Sequence, residues 1–181
     1  MTTRERPAII IRHGTVGDAA MLSRLAATSF ADTFAADNDA RDMASYMDEA
    51  FGEQQQRAEL LDDRLLVLIA ECVGETAGYA VLREGPADDC IGVTDAIEVA
   101  RLYADRRWIG AGVGSALMQA CLDEAAARGR STLWLGVWEH NARAIAFYRR
   151  WGFTQRGTHS FVLGRDHQTD HVMARPVATE G

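Results

Sequence analysis

Apolar residues in the first part of the chain change from strand-like to helix-like spacing. Residues 8–12 contain four consecutive apolar residues followed by Arg12, which predicts a buried strand. Thr15 is followed three residues later by Asp18, and this pair resembles a capping box at the start of a helix that runs to about Ser29. The first elements predicted are therefore a strand and a helix.

The next segment is polar at first and then becomes strongly apolar. Residues 39–62 carry apolar side chains at helical spacing with a break near Gly52, which predicts two short helices. Residues 65–72 and 76–83 flank a turn centred on Gly74 and predict a β-hairpin.

The second half of the chain alternates strand-like and helix-like runs after a surface loop at residues 84–92. The strand-like runs are 96–104, 132–138, 153–159 and 170–177, and the helix-like runs are 115–128 and a segment that starts at Asn141. The sequence contains no internal repeat and no low-complexity segment. This mixed order predicts an α/β (α+β) fold with one central mixed β-sheet and helices on both faces.

Length and composition favour a single domain. A chain of 181 residues with 48% hydrophobic content can form one well-packed core and is too short for two ordinary domains. We predict one domain over residues 8–177, with flexible tails at 1–7 and 178–181.

Charge and cysteine content narrow the class of protein. The net charge of -7 and the pI of about 5.2 argue against a nucleic-acid-binding surface and are compatible with a cationic substrate. No apolar run reaches the ~18 residues that a membrane span requires, so we expect a soluble, cytoplasmic protein with no membrane partner. Cys72, Cys90 and Cys121 are odd in number and show no C-x-x-C spacing, which argues against a disulfide framework and a zinc site.

A glycine-rich segment at residues 110–115 joins the strand-like run 96–104 to the helix-like run 115–128. Glycines let the backbone approach a ligand closely, and the first amides of a helix lack intrahelical partners, so this pattern is typical of a phosphate site. A turn that only reverses the chain is the structural alternative. All 19 Lys+Arg residues are Arg, which excludes a Walker A lysine, and the position of the loop late in the chain disfavours a dinucleotide fold.

The stretch RLYADRRWIGAGVGSALMQACLDEAAARGRSTLWLGVWEHNARAIAFYRRWGF, residues 101–153, resembles the acetyl-CoA-binding half of the GNAT family of N-acetyltransferases. The matching pieces are a strand, a Gly-x-Gly-x-Gly loop, a helix, a second strand and an Asn-x-x-Ala-x-x-x-Tyr helix that ends in Gly-Phe. The later run from Gly157 to Asp170 resembles more narrowly the PaiA subgroup of bacterial polyamine acetyltransferases.

The resemblance implies a GNAT fold with a splayed strand pair that binds acetyl-CoA as cosubstrate, and no metal. It assigns the pantetheine arm to the backbone of Leu102, Tyr103 and Ala104. It assigns the remaining cofactor contacts to Ile109, Gly110, Ala111, Gly112, Val113, Gly114, Ser115, Asn141, Ala144 and Tyr148.

The loop departs from the family pattern Gln/Arg-x-x-Gly-x-Gly/Ala at one position. Arg107-x-x-Gly110-x-Gly112 matches this consensus, but the residues that follow match the family better if the loop ends at Gly114. The second alignment, which we prefer, puts Ile109 where a basic or amide side chain is usual. Arg106 or Arg107 would then replace that phosphate contact, while the backbone amides are unchanged.

Two residues are predicted to act in catalysis. In the resemblance, the tyrosine at position 148 lies at the sulfur of CoA, where a phenol can donate a proton or a hydrogen bond to the departing thiolate. An alkylamine with a pKa near 10.4 must lose a proton before it attacks, so a base is useful. Glu98 is the first candidate and Glu139 the second, and an ion-paired carboxylate is the structural alternative for both.

The expected acceptor is a small-molecule amine, and a polyamine such as spermidine is the leading candidate. Acidic residues of the predicted N-terminal helices could line a site for a polycation, or form a solvated helix face: Asp32, Asp37, Asp39, Asp42, Asp48 and Glu49. The alternatives are acetylation of a protein N-terminus or an antibiotic amine, and a non-catalytic CoA-binding sensor. A homodimer is left open. His167 and His171 have helical metal-pair spacing, but their segment is predicted to be a strand.

Overall fold

The computed structural model describes residues 7–34, 46–47, 49–163 and 166–178. The predicted flexible tails lie almost entirely outside these ranges, as does most of the first helix predicted within residues 39–62. Four of the six acidic residues considered for a polycation site also lie outside the described residues: Asp37, Asp39, Asp42 and Asp48.

Seven strands form one mixed sheet in the order β1-β2-β3-β4-β5-β7-β6. Their bounds are β1 Ile9–His13, β2 Leu65–Cys72, β3 Glu75–Arg83, β4 Ala96–Ala104, β5 Thr132–Trp138, β6 Thr154–Leu163 and β7 Asp166–Pro176. Every neighbouring pair is antiparallel except β4 and β5, which are parallel.

Helices cover both faces of the sheet, which confirms the predicted architecture. They are α1 Ala19–Phe34, α2 Glu53–Leu61, α3 Val113–Ala127 and α4 Ala142–Arg150. Side chains of α3 and α4 pack into the larger core on one face, and α1 and α2 pack on the other face over a second core that contains Tyr79 and Val81. None of the described helices is both long and apolar enough to cross a bilayer.

The entry to α1 forms as its sequence predicts. The Asp18 carboxylate accepts hydrogen bonds from the Thr15 amide at 2.8 Å and from the Thr15 hydroxyl at 2.9 Å. Arg12 of β1 adds a 2.8 Å ion pair, and its hydrogen bonds are the main reason why the pKa of the Asp18 carboxyl lies well below its ordinary value. The helix continues to Phe34, beyond the predicted end near Ser29.

The predicted β2–β3 hairpin is also confirmed. Its two turn residues, Val73 and Gly74, have φ angles of 53° and 78°, as a two-residue type I′ turn requires. The last hairpin is longer than predicted, because β6 continues to Leu163 and β7 begins at Asp166. The residues between 160 and 169 are mostly polar, so their pairing depends on the neighbouring strand and is not visible in their own pattern.

Candidate active site

A cleft opens in the middle of the sheet where β4 and β5 separate. The two strands pair only through Ala96↔Thr132, Ile97↔Leu133 and Glu98↔Trp134. Beyond Glu98, β4 remains paired with β3 up to Ala104, and β5 remains paired with β7 up to Trp138. The inner edges of both strands therefore carry backbone groups without a strand partner, and an extended ligand with amide groups can pair with such an edge.

The predicted pantetheine-binding residues Leu102, Tyr103 and Ala104 lie on this separated half of β4. Gly78 of the neighbouring strand β3 packs closely against them. A Cβ atom at Gly78 would lie 2.5 Å from the Tyr103 carbonyl oxygen and 2.9 Å from Cγ1 of Val113, the first residue of α3. The missing side chain thus lets β3, the end of β4 and the start of α3 pack closely.

Replacement of Gly78 by alanine should lower the free energy of unfolding by roughly 1–3 kcal/mol, because the added methyl group meets backbone atoms that must shift. CoA affinity should also fall, since the shift displaces the end of β4 and the start of α3. Urea unfolding and CoA titration measure the two effects. Gly85→Ala is the matched control, because nothing lies within 4 Å of a Cβ at that position. Equal stability of the two variants would contradict the packing argument.

The glycine loop places the N-terminus of α3 beside the cleft. Gly110 and Gly112 have φ angles of 84° and 100°, which side chains rarely tolerate, and α3 begins at Val113, two residues earlier than predicted. Gly112 is the N-cap and has no side chain to bond the first amides of the helix. The amides of Val113, Gly114 and Ser115 and the positive end of the helix dipole are therefore available to an anion, and a pyrophosphate fits this arrangement.

The side chains around the loop differ in how firmly they are held. Arg107 pairs with Asp105 at 3.0 Å and with Glu75 at 2.9 Å. Arg106 is mostly exposed and contacts Asp32 at only 3.8 Å, and Ile109 is also exposed. Arg106 is thus the better candidate for the phosphate contact that Ile109 cannot make.

Asn141 caps α4, and this cap places Tyr148 two turns later. The Asn141 side-chain oxygen accepts a hydrogen bond from the Ala144 amide at 3.1 Å. This contact accounts for the Asn-x-x-Ala spacing as a helix start, because an N-cap oxygen satisfies an amide that the helix leaves unpaired. Tyr148 then lies on the buried side of α4, where its ring contacts Phe147 and Phe153.

Burial raises the pKa of the Tyr148 phenol well above its ordinary value, and the neighbouring Tyr103 and Cys121 add to the effect. The hydroxyl makes no hydrogen bond to any of the described residues. A neutral phenol with an unused donor suits hydrogen bonding to a developing thiolate better than complete proton transfer to it.

The two glutamates considered as bases differ in their environment. Both carboxylate oxygens of Glu98 accept hydrogen bonds from Arg83, at 2.8 and 2.9 Å, and Glu98 lies opposite Trp134 where β4 and β5 are still paired. The ion-paired alternative is therefore favoured for Glu98. Glu139 follows the end of β5, is 39% exposed and contacts His140 at 3.9 Å.

Aromatic side chains and one carboxylate lie on the α1/α2 side of the cleft, and we call Tyr46, Tyr103, Trp138 and Asp170 the acceptor face. Asp170 of β7 lies directly opposite Trp138, the last residue of β5. Burial is the main reason why the pKa values of Tyr46 and Tyr103 are raised, the charge of Arg101 opposes both shifts, and the charge of Asp170 adds to them. Asp170 therefore acts electrostatically on the β4 side of the cleft.

A pair formed by His159 and Asp170 was not predicted from the sequence. His159 of β6 lies directly opposite Asp170, with 3.7 Å between Nε2 and Oδ2, and its Nδ1 lies 3.2 Å from Asp88. Asp170 Oδ1 is buried and has no hydrogen-bond partner among the described residues. One signal was available in the sequence, because Gly136 interrupts an otherwise apolar strand and a glycine there often marks a close approach.

His167 and His171 both lie within β7, and the predicted strand 170–177 included His171. Among the described residues, no three His, Cys, Asp or Glu side chains converge in a way that could hold a metal ion.

Comparisons with known proteins identify relatives of this chain. The sequence model of the Acetyltransferase (GNAT) family matches residues 28–153. An uncharacterised N-acetyltransferase of Lactobacillus delbrueckii subsp. lactis is 33% identical over 81% of this chain and 85% of its own length. The streptothricin acetyltransferase of Streptomyces lavendulae is 36% identical over 67% of this chain and 61% of its own length.

A solved structure has the same overall fold. The crystal structure of the PaiA N-acetyltransferase from Thermoplasma acidophilum, in complex with coenzyme A, superposes with a TM-score of 0.77 and 19% identity. The match covers 93% of this chain and 99% of that one. At this identity the likeness concerns the fold.

Proposed function

This chain belongs to the GNAT family of acetyltransferases, and we propose that its acceptor is a small primary amine of the polyamine type, such as spermidine. The acetyl donor is acetyl-CoA. The observation that carries the proposal is the acceptor face, where Asp170 lies opposite Trp138 and has no arginine partner among the described residues.

The charges on the acceptor face differ from those elsewhere on the protein. Glu59 pairs with Arg101 at 2.6 Å, and Glu84 pairs with Arg128 and Arg130. In contrast, Asp170 has only His159 as an ion-pair partner within the described structure. A carboxylate flanked by aromatic rings favours an alkylammonium ion, through charge attraction and cation–π contact.

A cavity of about 390 Å³ beneath α2 is a weaker candidate for the acceptor site. Its charged lining is balanced, with three carboxylates and three guanidinium groups: Glu59, Asp62, Glu84, Arg64, Arg83 and Arg101. A polycation gains little from such a lining. We therefore assign the acceptor to the acceptor face, where the β4–β5 cleft gives access to the thioester.

Each part of the site has a proposed role in direct transfer within a ternary complex. The amides of Val113, Gly114 and Ser115 hold the pyrophosphate of acetyl-CoA, and the free edge of β4 pairs with its pantetheine arm. The acceptor nitrogen approaches the thioester carbonyl from the acceptor face. Tyr148 hydrogen-bonds the sulfur as the carbon–sulfur bond breaks.

An acceptor screen at two salt concentrations tests the substrate class. Spermidine should be acetylated with a higher kcat/KM than n-butylamine at 50 mM salt, because its extra ammonium groups are attracted by the acidic protein. Its KM should rise about threefold or more at 300 mM salt, since charge attraction is then screened, while the KM of n-butylamine changes less. Thiol release measures both. Equal kcat/KM values at low salt would contradict the polyamine proposal.

The similarity to streptothricin acetyltransferase supports a second candidate, acetylation of an antibiotic amine. Streptothricin therefore belongs in the same screen. A kcat/KM for streptothricin well above that for spermidine would favour this second function, with the same cleft and the same Tyr148.

A further inference from the structure

We propose that Asp170 is the catalytic base that removes a proton from the acceptor ammonium, and that His159 positions Asp170 and conducts the proton to solvent. This inference rests on the proposed function, since it requires an amine acceptor at the acceptor face. It replaces Glu98, whose carboxylate is held by Arg83.

The geometry of the sheet brings these two residues together at the cleft. Asp170 and His159 are direct partners in the β6–β7 ladder, so their side chains lie on the same face. Asp170 is also the direct partner of Trp138, at the end of β5 that borders the cleft. Asp170 is thus the carboxylate of the acceptor face, beside the cleft that would admit an ammonium group.

A glycine makes room for the pair. A Cβ atom at Gly136 would lie 3.1 Å from His159 Nε2 and 3.3 Å from Asp170 Oδ2. The pair therefore lies over the backbone of β5, and a larger residue at position 136 would displace it.

The other side of His159 leads to solvent. The His159 side chain is 34% exposed, and its Nδ1 lies 3.2 Å from Asp88. The loop that carries Asp88 is packed onto β6, where the Cys90 sulfur would lie 2.8 Å from a Cβ at Gly157. In the tautomer that donates Nδ1–H to Asp88, the lone pair of Nε2 faces Asp170 and can accept its proton.

The environment of Asp170 suits a base that works near neutral pH. Burial raises the pKa of its carboxyl above the ordinary value, and the charge of His159 partly opposes this shift. The other groups that act on it are His171 and Glu139, and its own charge acts on the phenols of Tyr46 and Tyr103. Oδ1 has no partner among the described residues, so the carboxylate keeps an unused acceptor, and Oδ2 is the oxygen that faces His159.

The ammonium gives one proton to the Asp170 carboxylate, and the nitrogen lone pair forms the bond to the carbonyl carbon of the thioester. The carbon–sulfur bond breaks, and CoA leaves as a thiolate that is hydrogen-bonded by Tyr148. The second nitrogen proton is lost as the amide forms and protonates the sulfur, while the proton on Asp170 leaves through His159. One proton is released per acetyl group transferred to an ammonium.

The test compares Asp170→Asn with the unaltered protein, using spermidine, n-butylamine and 2,2,2-trifluoroethylamine. With n-butylamine at pH 7, kcat at saturating amine should fall about 10²-fold, within the range of general base catalysis. The loss should shrink as pH rises toward the amine pKa near 10.4, where the free amine becomes abundant without a base. Trifluoroethylamine has a much lower pKa, so its loss at pH 7 should be about threefold or less.

Two further variants keep the test decisive. His159→Gln should lower kcat about tenfold at pH 7 and shift the acidic limb of the pH profile, because the carboxyl loses its charged neighbour. Glu124→Gln is the matched control, since Glu124 forms a 2.6 Å pair with His13 far from the cleft, and it should leave kcat unchanged. CoA affinity and the circular dichroism spectrum should be the same in all variants.

Four outcomes would overturn the assignment. A pH profile of Asp170→Asn that is parallel to that of the unaltered protein excludes Asp170 as the base. A change confined to KM makes Asp170 a cation-binding residue only. If the unaltered protein acetylates none of the three amines, the proposed amine acceptor fails and the assignment fails with it, whereas normal acetylation by Asp170→Asn overturns the assignment alone.

Discussion

Replacement of Tyr148 by phenylalanine should lower kcat by roughly 10²–10⁴-fold, the range expected when a positioned proton donor is removed. The ring contacts with Phe147 and Phe153 do not involve the hydroxyl, so packing should be preserved. Among the described residues the hydroxyl has no hydrogen-bond partner, and its loss therefore leaves no protein group unsatisfied. The free energy of unfolding and the affinity for CoA should change little.

The raised pKa of Tyr148 decides how the phenol acts. Because burial disfavours the phenolate, complete transfer of the proton to a thiolate with a pKa near 8.5 is uphill. A strong hydrogen bond that forms as charge develops on sulfur stabilises the transition state without that cost. We therefore expect the loss in kcat to persist when the acceptor is changed, since the leaving group is always CoA.

Steady-state kinetics with an isothermal titration of CoA separate these effects. Tyr79→Phe is the control for the loss of a buried tyrosine hydroxyl, because Tyr79 lies in the second core and its ring contact with Tyr103 is kept. It should change kcat by about twofold or less, since no role in the reaction is assigned to its hydroxyl. Nearly full activity of Tyr148→Phe would exclude leaving-group stabilisation by this residue.

Replacement of Gly112 by valine should weaken CoA binding by at least about tenfold, which corresponds to about 1.4 kcal/mol. Gly112 has a φ angle of 100°, which a β-branched residue adopts only with strain, and it is the N-cap of α3. A side chain there would both move the first amides of the helix and occupy space next to the anion.

Gly129 provides a matched control at the opposite end of the same helix. Its φ angle is 66°, and nothing lies within 4 Å of a Cβ at that position. Gly129→Val should therefore destabilise the fold by a comparable backbone strain but leave CoA affinity unchanged. Equal CoA affinities of the two folded variants would remove the loop from the cofactor site.

Gly114, the next glycine of the loop, should respond differently to substitution than Gly112. The sequence alone gives no reason to distinguish the two positions. Gly114 lies within the first turn of α3 and has no positive φ, and a Cβ there would contact the Phe147 ring at an ordinary 3.7 Å. Gly114→Ala should therefore retain CoA affinity within about threefold, because the amide itself is kept. Titration of CoA against this variant completes the comparison within the loop.

Much of the fold could be predicted from the sequence, because its signals are local. The β2–β3 hairpin depends on two apolar runs and a turn residue that tolerates positive φ, and all three lie within 19 residues. Apolar spacing within one continuous stretch predicts the unit that consists of β4, the glycine loop, α3, β5 and α4. Gly112 and Asn141 form the N-caps of its two helices. The candidate cofactor residues, including Tyr148, follow from the same stretch.

The candidate base was decided by contacts between distant parts of the chain. Glu98 was the first candidate from its place before the loop, but Arg83 on the neighbouring strand holds both of its oxygens. His159 and Asp170 lie at the facing ends of two predicted strands, 153–159 and 170–177, and only the pairing of β6 and β7 places them on one face. Asp88 joins them from a loop 71 residues away from His159 along the chain.

Local sequence patterns therefore predict the elements, the glycine loop proposed to hold an anion and the tyrosine of α4, because helix caps, turns and apolar spacing act over a few residues. The pairing of Asp170 with His159 and Trp138 is visible only in the tertiary structure. Strand register sets the facing partners of each side chain, and it depends on packing between segments that no local pattern specifies. The parting of β4 and β5 beyond Glu98 is of the same kind, since a bulge in β4 between Val99 and Arg101, where its pairing with β3 shifts register, bends the strand as its pairing with β5 ends.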